Sequence, residues 1–155
     1  MPNYVRNILT VDKNAKEIHK LCNTKYTEFD FSSIIPEAYK NDDEWYEWRV
    51  KNWGTKWNSL DAKFDEQMNM FTFDTAWAAP VPVINKLSKL FPDTEFNLIW
   101  ADELLGDNCG DMTIKDGETI NEFYPEYEEQ MIELYKRCWN CEPDEGIHPD
   151  ICDQD

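Results

Sequence analysis

Four side chains near the end of the chain have types and spacing that could hold a metal ion. Cys138, Cys141, His148 and Cys152 read C-x2-C-x6-H-x3-C, and thiolates with an imidazole at such intervals can close a tetrahedral zinc site. Glu142, Asp144, Glu145 and Asp150 lie among them. A zinc knuckle that grips nucleic acid has basic and aromatic residues in those places, so a metal here would act as a structural staple. The simpler reading is preferred: Cys138 is the last inward residue of a helix and the other ligand types are incidental. No cofactor is expected, with structural zinc as the one candidate.

Catalytic signatures are missing. There is no G-x-S-x-G elbow, Walker glycine loop, H-E-x-x-H or G-x-G-x-x-G. The two histidines are His19 and His148, and His19 falls in a helical segment between Ile18 and Lys20, where a structural role is expected. Asp102, Glu103, Asp107 and Asp111 could gather a hard cation. Their spacing departs from the EF-hand loop and lacks its closing glutamate, which favours solvated charge. The chain therefore reads as non-enzymatic.

Charge carries more information. Residues 1–91 hold 13 acidic and 12 basic side chains, residues 92–155 hold 19 and 3, and the chain totals −17. Contacts to phosphate need Lys and Arg, so neither nucleic acid nor an anionic membrane is an expected partner of the second half. The complement of such a surface is a basic protein. Glu126, Glu129 and Glu133 share one side of a helix, with Glu122 and Glu128 flanking it. Together with Asp102, Glu103, Asp107, Asp111 and Glu122 they form the expected contact face.

The elements that must position these residues follow from periodicity. Tyr4 to Val11 predicts a strand. Asn14 and Glu17 predict a capping box opening a helix over 14–23. A second strand lies within 53–64, and Met68 to Trp77 alternates with Phe71, Phe73, Thr75 and Trp77 on one face. Val83, Ile84, Leu87 and Leu90 build one helical stripe. Phe96, Leu98 and Trp100 alternate, and a strand over 111–115 turns at Asp116–Gly117. Pro125 then opens a helix running to about residue 139. This β-α-insert-β-β-α-β order predicts an α+β, ferredoxin-like antiparallel sheet with helices packed on one face, extended by an extra strand and a C-terminal helix.

The 155 residues suit one domain. It is expected over 1–140, with a helical insertion at about 25–52 that carries Trp45 and Trp48 on one side, and with an acidic tail over 141–155. No run of eighteen apolar residues exists and the first residues lack a signal peptide's apolar stretch, which predicts a cytoplasmic protein. Five cysteines in that setting predict thiols or a metal site rather than a disulfide framework.

Three stretches carry a family resemblance: Phe29-Asp-Phe-Ser-Ser-Ile-Ile-Pro36, Trp48-Arg-Val-Lys-Asn-Trp-Gly-Thr-Lys-Trp57, and Phe71-Thr-Phe-Asp-Thr-Ala-Trp77 running on to Phe91-Pro92. They resemble the small ferredoxin-like-domain proteins of phages, plasmids and integrative elements that include the YubB type, over roughly residues 4–115. The resemblance implies that fold and a mobile-element setting, and no reaction. Trp53, Trp57 and Trp77 read as core or groove packing.

Two functional expectations follow. The first is a mobile-element inhibitor of a host nucleic-acid-targeting defence complex, such as an anti-CRISPR or antirestriction protein, whose carboxylates occupy a channel built for nucleic acid. The second is an accessory module that binds a protein partner through a sheet edge or the aromatic insertion around Trp45 and Trp48. The protein itself would be a monomer or homodimer.

Overall fold

The structure, a computed structural model, describes residues 2–143. Strand β1 (Tyr4–Val11) is followed by helix α1 (Ala15–Cys22), an irregular insertion with helix α2 (Trp45–Asn52), the hairpin β2 (Leu60–Asp65) and β3 (Met70–Ala76), and helix α3 (Val81–Leu90). Then come β4 (Phe96–Asp102), β5 (Cys109–Lys115), β6 (Glu118–Phe123) and helix α4 (Glu128–Trp139).

The six strands form one sheet in the order β2-β3-β1-β4-β5-β6, and every neighbouring pair is antiparallel. Its first four strands have the ferredoxin-like arrangement expected from the sequence. β1 lies between β3 and β4, and α1 and α3 are the two crossovers.

Alternation along each strand decides which residues are buried. Val5, Leu9 and Val11 of β1 pack with Phe71, Phe73, Phe96, Leu98, Met112 and Ile114 from the neighbouring strands. Ile18 and Cys22 of α1, together with Val83, Ile84 and Leu87 of α3, cover this face. The insertion adds Phe29, Phe31, Ile34 and Trp53 to the same core. Phe29 stacks on Phe73 at 4.8 Å, and the indole N–H of Trp53 donates to the Ile35 carbonyl at 2.9 Å, which satisfies the ring's one polar atom inside an apolar core.

The opposite face has its own core. Leu134, Tyr135, Cys138 and Trp139 of α4 pack on Ile99, Ala101 and Cys109, with Tyr4 and Ile8 alongside. Trp139 donates its indole N–H to the Ala101 carbonyl at 3.0 Å. The added C-terminal helix therefore closes the sheet's second face, while the two crossover helices share the first.

Several local expectations need correction. Asn14 forms no capping box: it adopts φ 64, and its side-chain amide donates to Thr94 and Asp93, so it is spent tying α1 to the α3–β4 connection. The last helix begins at Glu128, not at Pro125. Tyr127 is extended, and Gln130 Oε1 reaches back to accept from the backbone N–H of Glu126 and Tyr127. Two extra strands follow β4 instead of one. Asp116 and Gly117 both take positive φ (49° and 77°), the requirement of a two-residue hairpin, and so the chain returns as β6.

Candidate partner-binding site

The eight carboxylates expected to form one acidic face divide into two groups. Three are engaged inside the fold. Asp102 accepts from the Leu104 backbone N–H at 2.9 Å and from Asn108 Nδ2 at 3.0 Å, and Glu103 accepts from the Tyr4 backbone N–H at 3.0 Å. Asp111 accepts from Asn97 Nδ2 at 2.8 Å and lies 3.8 Å from Arg137. These half-buried side chains fasten the ends of β4 and β5.

The other five, Asp107, Glu122, Glu126, Glu129 and Glu133, are exposed. Glu122, Glu126, Glu129 and Glu133 lie along β6 and α4, next to Glu118 and Glu128, which are also exposed. The three cations of this half offer little relief to so many carboxylates: Lys136 pairs with Glu142 at 2.9 Å, Arg137 lies 3.8 Å from Asp111, and the exposed Lys115 stands across β5–β6 from Glu118. The charge reaches neighbouring groups. Burial, then Glu122's charge and hydrogen bond, push the Tyr124 phenol up, and burial, then Asp107, push up the Cys109 thiol.

β6 gives this region its shape. Among the described residues it ends the sheet and pairs only with β5, and all six of its own residues are exposed. Ile120 is 52% exposed, and Phe123 and Tyr124 are 43% and 50% exposed. Edge strands are commonly blunted by lysine, proline or brevity. Here the strand carries two glutamates and no lysine or proline. Among the described residues no strand covers its outer row of peptide groups, and the glutamates repel a second acidic copy.

The five tryptophans expected to pack or to line a groove also divide. Trp53 is buried in the first core and Trp48 packs against it. Trp45 is half-buried, with the Arg49 guanidinium 5.2 Å from its ring centroid. Trp57 is half-buried and Trp77 is 43% exposed. The alternation that placed Trp77 with Phe71, Phe73 and Thr75 stops at the end of β3, because Trp77 has φ 70. Ala78 N–H donates to the Ala76 carbonyl at 2.9 Å across it, a γ-turn of the rare positive-φ kind. Left-handed backbone costs a bulky residue roughly 1–2 kcal/mol.

The turn is held from four sides. Trp77 N–H donates to the Asn3 carbonyl at 2.9 Å and its own carbonyl accepts from Asn108 Nδ2 at 2.8 Å. Thr55 Oγ1 donates to the Ala76 carbonyl at 2.5 Å, and Thr75 Oγ1 donates to that of Ala78 at 2.7 Å. Asn7, fully buried in β1, donates in turn to Thr75 Oγ1 at 3.0 Å. Sequence reasoning missed this buried polar group. The visible signal was an asparagine amid apolar inward positions of a strand.

On the surface beside the turn, Lys56 Nζ sits 4.8 Å from the Trp57 ring centroid and 4.9 Å from that of Trp77. Tyr46 meets Trp77 edge to face at 6.3 Å. The loop presenting Lys56 is rigidly anchored. Gly54, at φ 79, packs so closely on Pro82 that a Cβ would lie 2.6 Å from its Cδ. Asn58 donates to Asp30 at 2.8 Å, and Ser59 Oγ donates to the Phe29 carbonyl at 2.6 Å.

At the proposed zinc ligands, Cys138 is buried in the second core, and burial pushes its thiol up to about 12. Cys141 is half-buried after α4 and disulfide-bonded, which takes its sulfur out of the proposed ligand set and corrects the expectation of free thiols at this position, while His148 and Cys152 lie outside the described residues. Among the described residues no group of three or more His, Cys, Asp or Glu is placed to hold a metal ion. His19 stacks on Phe64 at 4.4 Å and approaches Glu28 at 3.4 Å. No helix among those residues is long and apolar enough to cross a membrane.

An antiparallel α+β sheet with β1 between β3 and β4 and two crossover helices defines a ferredoxin-like fold. The family described as the ferredoxin-like domain in Api92-like protein matches residues 52–142, and the chain belongs to it. Among solved structures, protein api92 from Yersinia pseudotuberculosis is similar, with a TM-score of 0.53 at 15% identity. That likeness covers 63% of this chain and 40% of api92, and it concerns the fold. No curated protein matches the chain.

Proposed function

We propose that this protein has no catalytic role and docks on a basic surface of a protein partner through the acidic edge built by β6 and the first turns of α4. The observation that carries the reading is the exposure of all six β6 residues at the end of the sheet, bordered by glutamates that outnumber the three cations of this half. An extended basic segment would pair with the open edge by main-chain hydrogen bonds while its cations meet Glu118, Glu122 and Glu126.

The basic surface that best fits a protein of a mobile element is the nucleic-acid channel of a host defence complex. The reading is then an anti-CRISPR or antirestriction type of inhibitor, a nucleic-acid mimic acting in the host cytoplasm. The mobile-element setting rests on the resemblance to the YubB type, and the mimicry rests on the charge. Immobilised CRISPR effectors and restriction enzymes, loaded and unloaded with nucleic acid, test it. Binding should compete with the nucleic acid, weaken as salt rises, and vanish in the Glu122→Lys, Glu126→Lys, Glu129→Lys, Glu133→Lys variant. Binding that ignores salt and survives the reversal overturns it.

A second reading, an accessory module acting through its aromatic residues, is favoured by the exposure of Trp77 and Tyr46. Trp48 is taken up by packing against the core, so this reading moves from the insertion's helix to the corner around Trp77.

A further inference from the structure

Two of the motifs that carry the family resemblance, Asn-Trp-Gly-Thr-Lys-Trp over 52–57 and Phe-Asp-Thr-Ala-Trp over 73–77, meet at one place on the surface. Lys56 lies between the rings of Trp57 and Trp77, and Tyr46 stands edge-on to Trp77. We infer that this corner is a second docking site, which takes a peptide segment of a partner protein bearing one carboxylate beside an apolar side chain.

The strain at Trp77 is the first reason. A bulky residue in left-handed backbone persists only where its surroundings over-determine it, and such residues cluster at binding and switch sites. Here Asn3, Thr55, Thr75 and Asn108 all hydrogen-bond to the turn, and the result leaves Trp77 43% exposed at the surface instead of in the core. Following the alternation would have sent Trp77 toward the core face, so the polar framework is spent on exposing it. Exposed, rigidly mounted Trp and Tyr are the side chains that dominate binding energy at interfaces.

The chemistry of the occupant follows from the cation. Among the described residues Lys56 has no carboxylate within ion-pair distance, although the chain has 32 acidic residues. Residues 48–60 contain Arg49, Lys51 and Lys56 and no acid, and Arg49 is committed to Glu37. One ammonium ringed by aromatic faces suits one carboxylate with an apolar neighbour. A nucleic-acid strand needs a track of free cations as well as stacking surfaces, and a chain of net charge −17 repels it at long range. The site stands apart from the acidic edge, since β1, β4 and β5 separate β3 from β6.

The test uses the full chain and three probes: acetyl-Phe-Glu-Phe amide, its Gln counterpart, and an oligothymidylate. The readout is the set of indole N–H resonances, assigned with Trp57→Phe and Trp77→Phe. The Glu peptide should shift the Trp57 and Trp77 signals saturably at millimolar concentration, with the Gln peptide several-fold weaker. Lys56→Met should erase that preference. Trp77→Gly should abolish the shifts while the thermal midpoint holds or rises, because glycine tolerates the turn. Silence toward the Glu peptide, an equal response to both peptides, a stronger response to oligothymidylate, or a lowered midpoint for Trp77→Gly would overturn the inference. None of these outcomes bears on the acidic edge, whose reversal variant is read separately.

Discussion

Arg6 grips Asp74 across the centre of the sheet, donating from Nε at 2.9 Å and from Nη2 at 3.1 Å to the two carboxylate oxygens. The two residues are register partners on β1 and β3, and the guanidinium also lies 4.2 Å from the ring centroid of Trp139. One side chain thereby ties two neighbouring inner strands, β1 and β3, to the helix on the sheet's second face.

The first prediction follows from that grip. Arg6→Ala strips a nearly buried carboxylate of two charge-assisted hydrogen bonds, and removing one partner of such a pair costs on the order of 3 kcal/mol. Arg6→Lys should recover only part of this, because an ammonium lacks the planar fork that grips both carboxylate oxygens while lying against the indole. Urea unfolding measures both. A loss below about 1 kcal/mol for Arg6→Ala would mean that the pair behaves as a surface ion pair.

Gly110 offers a steric test. It pairs with Trp100 across β4 and β5, and a Cβ there would lie 2.5 Å from Cζ2 and Cη2 of that indole. Trp100 is buried and meets Tyr124 edge to face at 6.1 Å, so the ring has little room to yield. Gly110→Ala should destabilise by about 1–3 kcal/mol, read as a lower thermal midpoint together with a changed Trp100 environment in near-ultraviolet circular dichroism.

The buried thiols set an alkaline limit. Burial pushes Cys22 and Cys138 from the ordinary 9.0 up to about 12, because each thiolate would sit in an apolar core. Between those values the unfolded chain releases protons that the folded chain keeps. Stability is therefore full below pH 9 and falls as pH rises toward 12, by about 1.4 kcal/mol per pH unit for each thiol. The Cys22→Ala, Cys138→Ala variant should show a shallower alkaline decline, measured by urea unfolding across that range. An unchanged slope would place the alkaline sensitivity elsewhere.

The elements legible in the sequence were those whose burial follows a local period. β1, α3 and β4 each show an apolar stripe or alternation that a single core enforces, and the ferredoxin-like order follows from them. β6 was illegible because all six of its residues are exposed, so burial imposes no pattern on it. What makes it a strand is the Asp116–Gly117 hairpin, a turn signal present in the sequence and read only as a turn. The acidic site was half legible. Composition located the charge, but only the tertiary structure shows that Asp102, Glu103 and Asp111 serve as internal acceptors. The corner at Trp77 was least legible, because its conformation depends on hydrogen bonds from residues as distant as Asn3, Thr55 and Asn108.

That dependence yields the last prediction. Thr75 Oγ1 donates to the Ala78 carbonyl and accepts from the otherwise buried Asn7 amide, so Thr75→Val removes one support of the turn and leaves an amide proton of Asn7 with fewer acceptors. The expected loss is about 1–3 kcal/mol, with Thr55→Val, which deletes the bond to the Ala76 carbonyl, somewhat milder. Stability alone cannot separate a supporting role from ordinary core packing, so the second readout is the exposed ring. Freed of its left-handed constraint, Trp77 should swing away from Lys56 and Tyr46, and its indole N–H resonance should move and broaden in both variants. If the protein loses stability while that resonance stays sharp and unshifted, the threonines stabilise the fold without holding Trp77 out, and the strain is maintained by Asn3 and Asn108 alone.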